Sequence, residues 1–260
     1  MIRTVLTIAR EAGECILEHY ERSPAFRLKA DQSPVTAADE ASSQLLCERL
    51  AALGFPVLSE EAEVDYSVRR TWETFWLVDP LDGTKEFLKR NGEFTVNIAL
   101  IDQARPVFGV VYAPALDQMA WAVLGNGAFL ESPEGPLRLD CRTAEASVGL
   151  ASRSHSTAGV EAFYRRNGIQ TLDAVGSALK FIKVARGEAG LYARFSGSKE
   201  WDTAAGQLLV TEAGGWVRPQ NGRAPLLYNK EDLENGNFVA GSGNVDPGNL
   251  EWPDEDGLKR

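Results

Sequence analysis

The sequence predicts a mixed fold in two halves, α+β / α/β by class. Two observations carry this reading. Up to about residue 145, two helical stretches precede apolar strand candidates joined by short turns, the pattern of an antiparallel meander packed on helices. Beyond residue 145, strand and helix candidates alternate, as they do where helices cover a sheet. The texture changes at Pro133-Glu134-Gly135-Pro136, and the chain is expected to divide into domains 1–145 and 146–260.

Val5, Ala9, Ala12, Ile16 and Tyr20 recur at helical spacing and predict a helix over 2–22. A loop with Asp31-Gln32-Ser33-Pro34 follows. Thr36-Ala37-Ala38-Asp39 is a capping-box-like start, and Leu45, Leu46, Leu50 and Leu53 form the stripe of a second helix that Gly54 and Pro56 end. Val57-Leu58 reads as a short strand running into Ser59-Glu60-Glu61. The apolar run Phe75-Trp76-Leu77-Val78 is a strand expected to stop at Asp79. Strands over 94–101 and 107–112 are joined by a turn at Ala104-Arg105-Pro106, and Gly125-Asn126-Gly127 links 119–124 to 128–130 as a hairpin. In the second half, strands are expected at 148–151, 172–175 and 189–194, and helices at 157–166, 177–187 and 202–213. Strands 215–218 and 238–240 close the chain.

Charge narrows the function. With 27 Lys+Arg against 37 Asp+Glu, the net charge is −10. Duplex nucleic acid needs a basic surface, so it is excluded as a charge-bound partner. No basic amphipathic tail suits an anionic membrane, and no window approaches the roughly 18 apolar residues of a span. Arg3, Arg10, Glu11 and Glu14 interrupt the N-terminal apolar pattern, unlike a signal peptide. Cys15, Cys47 and Cys141 are odd in number and far apart, without zinc-type or redox spacing; reduced thiols and a cytoplasmic location are expected.

Acidic residues at strand ends carry the chemistry. Asp79 closes an apolar strand, and Pro80 and Gly83 are expected to turn the chain so that Asp82 returns beside it. Two converging carboxylates suit a hard divalent cation. Gly83-Thr84-Lys85 then begins a helix whose amides could receive a phosphoryl oxygen. Each feature has an ordinary reading too. A bare Asp-x-x-Asp is usually a turn, Glu60-Glu61 a solvated loop, and Asp39 and Asp202 first-turn carboxylates favoured by the helix dipole.

Together and in order, the four segments resemble the inositol-monophosphatase superfamily of metal-dependent, lithium-sensitive phosphatases. The matching residues are Asp39, Glu60-Glu61, Asp79-Pro80-Leu81-Asp82-Gly83-Thr84 and Trp201-Asp202-Thr203-Ala204-Ala205-Gly206. Three stretches are most similar to its CysQ-type 3'(2'),5'-bisphosphate nucleotidases: Ser33-Pro34-Val35-Thr36-Ala37-Ala38-Asp39, Thr84-Lys85-Glu86-Phe87 and Gly176-Ser177-Ala178-Leu179-Lys180-Phe181. The resemblance implies a layered α-β-α-β-α sandwich with the site between its halves.

It also implies roles. Glu60, Asp79 and the Leu81 carbonyl would hold one Mg²⁺, and Asp79, Asp82 and Asp202 a second, so that most ligands fall in 1–145 and Asp202 in 146–260. A water activated between the two metals would be oriented and deprotonated by Asp39 and Thr84, with Glu60 nearby. The Gly83 and Thr84 amides would receive phosphate oxygens. Ser177, at a helix start, Lys180 and Arg194 are candidates for the distal part of the substrate, though Lys180 could equally be a solvated face charge. His19 reads as a surface residue and His155 as a weak substrate candidate. The implied reaction is hydrolysis of 3'-phosphoadenosine 5'-phosphate (PAP) to AMP and phosphate in sulfur assimilation, with 3'-phosphoadenosine 5'-phosphosulfate (PAPS) a second candidate and Li⁺ an inhibitor. An inositol monophosphatase or sugar bisphosphatase is the alternative, and a silent nucleotide or metal sensor a third. Monomer and homodimer stay open, as does a peripheral visit to the inner face of the cell membrane.

Overall fold

The computed structural model describes residues 1–21, 26–28, 34–154, 157–220 and 224–253. Of the sequence expectations, the loop residues Asp31, Gln32 and Ser33 and the candidate His155 lie outside these.

Helix α1 (Ile2–Tyr20) buries Val5, Ala9, Ala12 and Ile16 of the predicted stripe, with Ile8 beside them, and leaves Tyr20 half-buried. A short antiparallel pair, β1 (Phe26–Leu28) and β2 (Pro34–Thr36), leads into α2 (Ala37–Ala51). The predicted capping box is formed: Thr36 accepts from Ala38 N, and Asp39 accepts the Thr36 amide. Next come β3 (Val57–Ser59), α3 (Tyr66–Arg69), β4 (Thr74–Asp82) and α4 (Thr84–Leu88). The meander continues through β5 (Thr95–Asp102), β6 (Arg105–Ala113), β7 (Gln118–Val123), β8 (Gly127–Leu130) and β9 (Leu137–Arg138). These strands form a seven-stranded sheet in the order β3-β4-β5-β6-β7-β8-β9, antiparallel except for β3 against β4.

One expectation fails at the site itself. Strand β4 does not stop at Asp79 but runs on to Asp82. Asp79 pairs with Asn97 and Asp82 with Thr95, so three steps on β4 match two on β5. That extra residue is a β-bulge. Residues three apart on a regular strand face opposite ways, and the bulge resets the parity so that both aspartates share a face. Pro80, which lacks an amide, is tolerated in the bulge, and its carbonyl accepts Ser42 Oγ at 2.9 Å.

The second half contains β10 (Val148–Ser152), α5 (Ala158–Arg166), β11 (Thr171–Val175), α6 (Leu179–Ala185) and β12 (Leu191–Arg194). After it come β13 (Ser198–Lys199), α7 (Glu200–Glu212), β14 (Trp216–Pro219), β15 (Glu234–Asn235) and β16 (Phe238–Gly241). Its five-stranded sheet has the order β11-β10-β12-β16-β14; β10 is parallel to β11 and β12, and β16 antiparallel to both its neighbours. Helix α6 starts at Leu179, not at 177, because Ser177 takes a left-handed φ of 54° that no α-helix continues.

Three apolar clusters order the layers. Helices α1 and α2 pack on one face of the large sheet through Ala12, Ile16, Leu46, Leu50, Trp76 and Ile98. Helices α6 and α7 fill the space between the sheets, where Leu77, Ala99, Val111, Phe181, Leu208 and Phe238 meet. Phe163 and Tyr164 of α5 cover the outer face of the small sheet. The sandwich is therefore α-β-α-β-α.

The small residues behind Trp201-Asp202 explain how α7 fits. A Cβ on Gly109 of β6 would lie 3.0 Å from Ala205, and one on Gly206 would lie 2.3 Å from the Phe181 ring. Gly206→Ala is therefore expected to cost about 1–3 kcal/mol through overpacking. Thermal unfolding checks it; an unchanged midpoint would mean that α6 and α7 can separate freely. Cys141 is buried, and Cys15 and Cys47 are half-buried free thiols. Among the described residues, no helix is long and apolar enough to cross a membrane.

Candidate active site

The bulged end of β4, the start of α4, the end of β12 and the first turn of α7 converge on one cleft of about 380 Å³. Asp79 is 1 % exposed, and its Oδ1 accepts the Leu81 amide at 3.1 Å. Asp82 Oδ2 accepts Ser177 Oγ at 2.8 Å and, more weakly, Asn97 Nδ2 at 3.4 Å. Asp202 is the third residue of α7, and its Oδ2 accepts the Lys199 amide at 2.9 Å. One oxygen from each of Asp79, Asp82 and Asp202 lies within 4.8 Å of the others. Glu60 and Leu81 line the same cleft.

Such crowding is unfavourable without a cation. Burial, then the charges of Glu60, Asp82 and Asp202, hold the Asp79 carboxyl well above the usual carboxylate range. Burial, followed by the Asp82 charge, raises Asp202 as well. Lys180 and Arg194, two of the cations lining the cleft, donate to backbone carbonyls. Lys180 Nζ donates to Val175 O at 3.0 Å and Ser177 O at 2.6 Å. Arg194 donates to Ser196 O and Gly197 O. Converging carboxylate oxygens bonded by neutral donors fit a hard divalent ion such as Mg²⁺.

Beside the cluster, Asp39 is buried at the start of α2. It accepts Thr36 N at 2.7 Å and Thr36 Oγ1 at 2.6 Å through Oδ2, and Thr84 Oγ1 at 3.1 Å through Oδ1. Burial raises its pKa against the pull of these bonds. Gly83 has a left-handed φ of 91°, which lets the chain leave the bulge and start α4 at once. Gly83 and Thr84 both line the cleft.

The distal candidates are also here, differently placed. Ser177 sits in a turn ahead of α6, with its hydroxyl on Asp82. Lys180 is 1 % exposed, so the solvated-face reading is wrong; burial pulls its pKa down to about 8. Arg194 lines the cleft beside Asp202. His19 bonds Cys15 O on α1, outside the cleft.

Several neighbours escaped the sequence reading. Thr95 and Asn97 are buried polar residues two apart at the head of an apolar strand, a period-two signal that could have revealed them. Glu86 accepts Ser154 Oγ, and Glu93 binds Arg153, across the two halves; only the fold brings these pairs together.

Comparison with known proteins agrees with this architecture. The inositol monophosphatase family model matches residues 1–251. The 3'(2'),5'-bisphosphate nucleotidase CysQ of Salmonella typhimurium is 43 % identical over 242 residues, 92 % of this chain and 98 % of that protein. The protein of the same name from Escherichia coli K12 is 44 % identical over 232 residues, 88 % of this chain and 94 % of its own. The crystal structure of CysQ from Bacteroides thetaiotaomicron superposes with a TM-score of 0.83 at 40 % identity, covering 93 % of this chain and 96 % of that one.

Proposed function

Because the chain belongs to the inositol monophosphatase family, we propose that it is a Mg²⁺-dependent 3'(2'),5'-bisphosphate nucleotidase that hydrolyses PAP to AMP and phosphate. The observation that carries this reading is the convergence of Asp79, Asp82 and Asp202 beside the Asp39–Thr84 pair. The nucleotide as substrate rests on relatives at 43 % and 44 % identity that bear this name. We propose in addition a role in sulfur assimilation in the cytoplasm, with PAPS as a second substrate.

Glu60, Asp79 and the Leu81 carbonyl would hold one Mg²⁺, and Asp79, Asp82 and Asp202 another, with residues 1–145 supplying all but Asp202. Two such ions, when bound, activate water and neutralise charge on both the attacking and leaving oxygens. The chain's own groups supply position and proton transfer. Thr84 Oγ1 donates to Asp39 Oδ1, so it could take a proton from the attacking water as it passes its own to Asp39. Asp39 is the final proton acceptor, and Glu60, which lines the cleft, is the other carboxylate offered for that water. The Gly83 and Thr84 backbone amides would bind the phosphate oxygens, and Ser177, Lys180 and Arg194 the rest of the substrate. Two divalent ions contribute +4 against the −4 of Glu60, Asp79, Asp82 and Asp202, so a polyanion is repelled by the metal-free cleft and accepted by the loaded one.

Phosphate release from PAP, PAPS, inositol 1-phosphate and fructose 1,6-bisphosphate tests the reading. PAP is expected to lead by about tenfold or more, a difference of about 1.4 kcal/mol. Turnover should require Mg²⁺ and fall with added Li⁺. Equal or better rates on inositol 1-phosphate would sink the nucleotide assignment.

A further inference from the structure

Close to the carboxylate cluster, the two halves are tied by a polar link that the mechanism above does not use. Glu93 lies between α4 and β5. Its carboxylate receives Arg153 at two points, Nε to Oε2 at 2.5 Å and Nη2 to Oε1 at 2.7 Å. The same Oε2 accepts the Gly176 amide at 2.7 Å, and Arg153 Nη2 also donates to Ala174 O. One carboxylate from the first half thus grips two segments of the second. The fit at 176 is tight: a Cβ there would lie 2.6 Å from Glu93 O and 2.7 Å from Glu86 Cγ.

The next residue gives the link a purpose. Ser177 holds a left-handed φ of 54°, which L-residues avoid. Such a conformation persists only where the surroundings over-determine it. Here the Glu93–Gly176 bond fixes it from one side, and Lys180 Nζ on Ser177 O from the other. The result is a hydroxyl 2.8 Å from Asp82 Oδ2 and 2.5 Å from Thr95 Oγ1. As an ion pair alone, Arg153–Glu93 would contribute little, because Arg153 is 40 % exposed.

We propose that Glu93 and Arg153 are positioning residues for Asp82: by fixing Gly176 they hold Ser177 in its left-handed turn, and the Ser177 hydroxyl sets the orientation of the Asp82 carboxylate. The proposal rests on the reading of Asp82 as a metal ligand. Outer residues that orient a ligand typically change metal affinity 10- to 100-fold.

The test is calorimetric titration of the metal-free full-length protein with Mn²⁺ and Mg²⁺, which needs no turnover. Glu93→Gln and Ser177→Ala are each expected to weaken cation binding by about tenfold. The Glu93→Gln, Ser177→Ala double variant should bind no more weakly than Ser177→Ala alone, because both act on the same hydroxyl. Additive losses, or full affinity in Glu93→Gln, would overturn the proposal. Arg153→Lys, which keeps the charge but loses the two-point geometry, carries the same comparison if Glu93→Gln does not fold. Asp82→Asn separates the two layers of inference. If it binds the cation as tightly as the parent, the ligand assignment falls and this proposal with it; if it loses the cation while Glu93→Gln does not, only the positioning role falls.

Discussion

Asp79→Asn is expected to lower turnover by on the order of 10³-fold, the several kcal/mol that charge neutralisation by metal supplies to a transition state. The same variant is expected to raise the melting temperature of the metal-free protein. Both results follow from one cause. Asp79 is buried among Glu60, Asp82, Asp202 and Asp39, and burial first, then these charges, push its pKa up. A carboxyl whose folded pKa lies above its unfolded value destabilises the fold at pH values above the folded pKa. That penalty is relieved as pH falls through the folded pKa towards the unfolded one. The metal-free parent should therefore gain stability as pH is lowered towards about pH 5, where an ordinary carboxyl is still ionised. The asparagine variant should gain less. Added Mg²⁺ should raise the melting temperature of the parent and much less that of the variant, because only the parent binds it well. Asp82→Asn and Asp202→Asn should lose activity in the same way. Scanning calorimetry with and without Mg²⁺, beside phosphate release, checks each part. Parental turnover at saturating Mg²⁺, or a lower metal-free melting temperature in Asp79→Asn, would contradict the cluster as a metal site.

Residues that carry local rules were legible in the sequence. The Thr36 capping box, the α1 stripe and the Gly125-Asn126-Gly127 hairpin are each short-range patterns, and each is formed. The acidic residues at strand and helix ends were legible for the same reason. What stayed hidden depends on pairing between distant segments. The bulge that turns Asp79 and Asp82 to one face is defined by its partner β5, so sequence alone suggested a turn in place of a continued strand. Ser177 looked like a helix-start residue, but its left-handed turn and its bond to Asp82 depend on Glu93 and Thr95 from the other half as well as on Lys180. Lys180 was undecided because burial is a property of packing; its ammonium is enclosed and donates to two carbonyls.

Thr84→Val is expected to lower kcat by on the order of 10²- to 10⁴-fold, the range of a positioned proton-transfer group, with little change in KM. Valine retains the branched shape at the first position of α4 and removes only the hydroxyl. The fold should survive, because Asp39 keeps both bonds from Thr36, at 2.7 Å and 2.6 Å. Thr84→Ser should restore most of the activity, since a serine hydroxyl can donate to Asp39 Oδ1 and accept from water in the same way. Asp39→Asn probes the other end of the relay: its amide oxygen can still accept both Thr36 donors, which share Oδ2, but it offers no carboxylate to take up the proton. If Thr84 acted only through packing, valine would resemble the parent and serine, the smaller side chain, would be the poorer variant. If it served only to bind phosphate, valine would raise KM and leave kcat near the parental value. A fall in kcat that serine repairs and valine does not is the outcome that proton transfer from water through Thr84 to Asp39 requires.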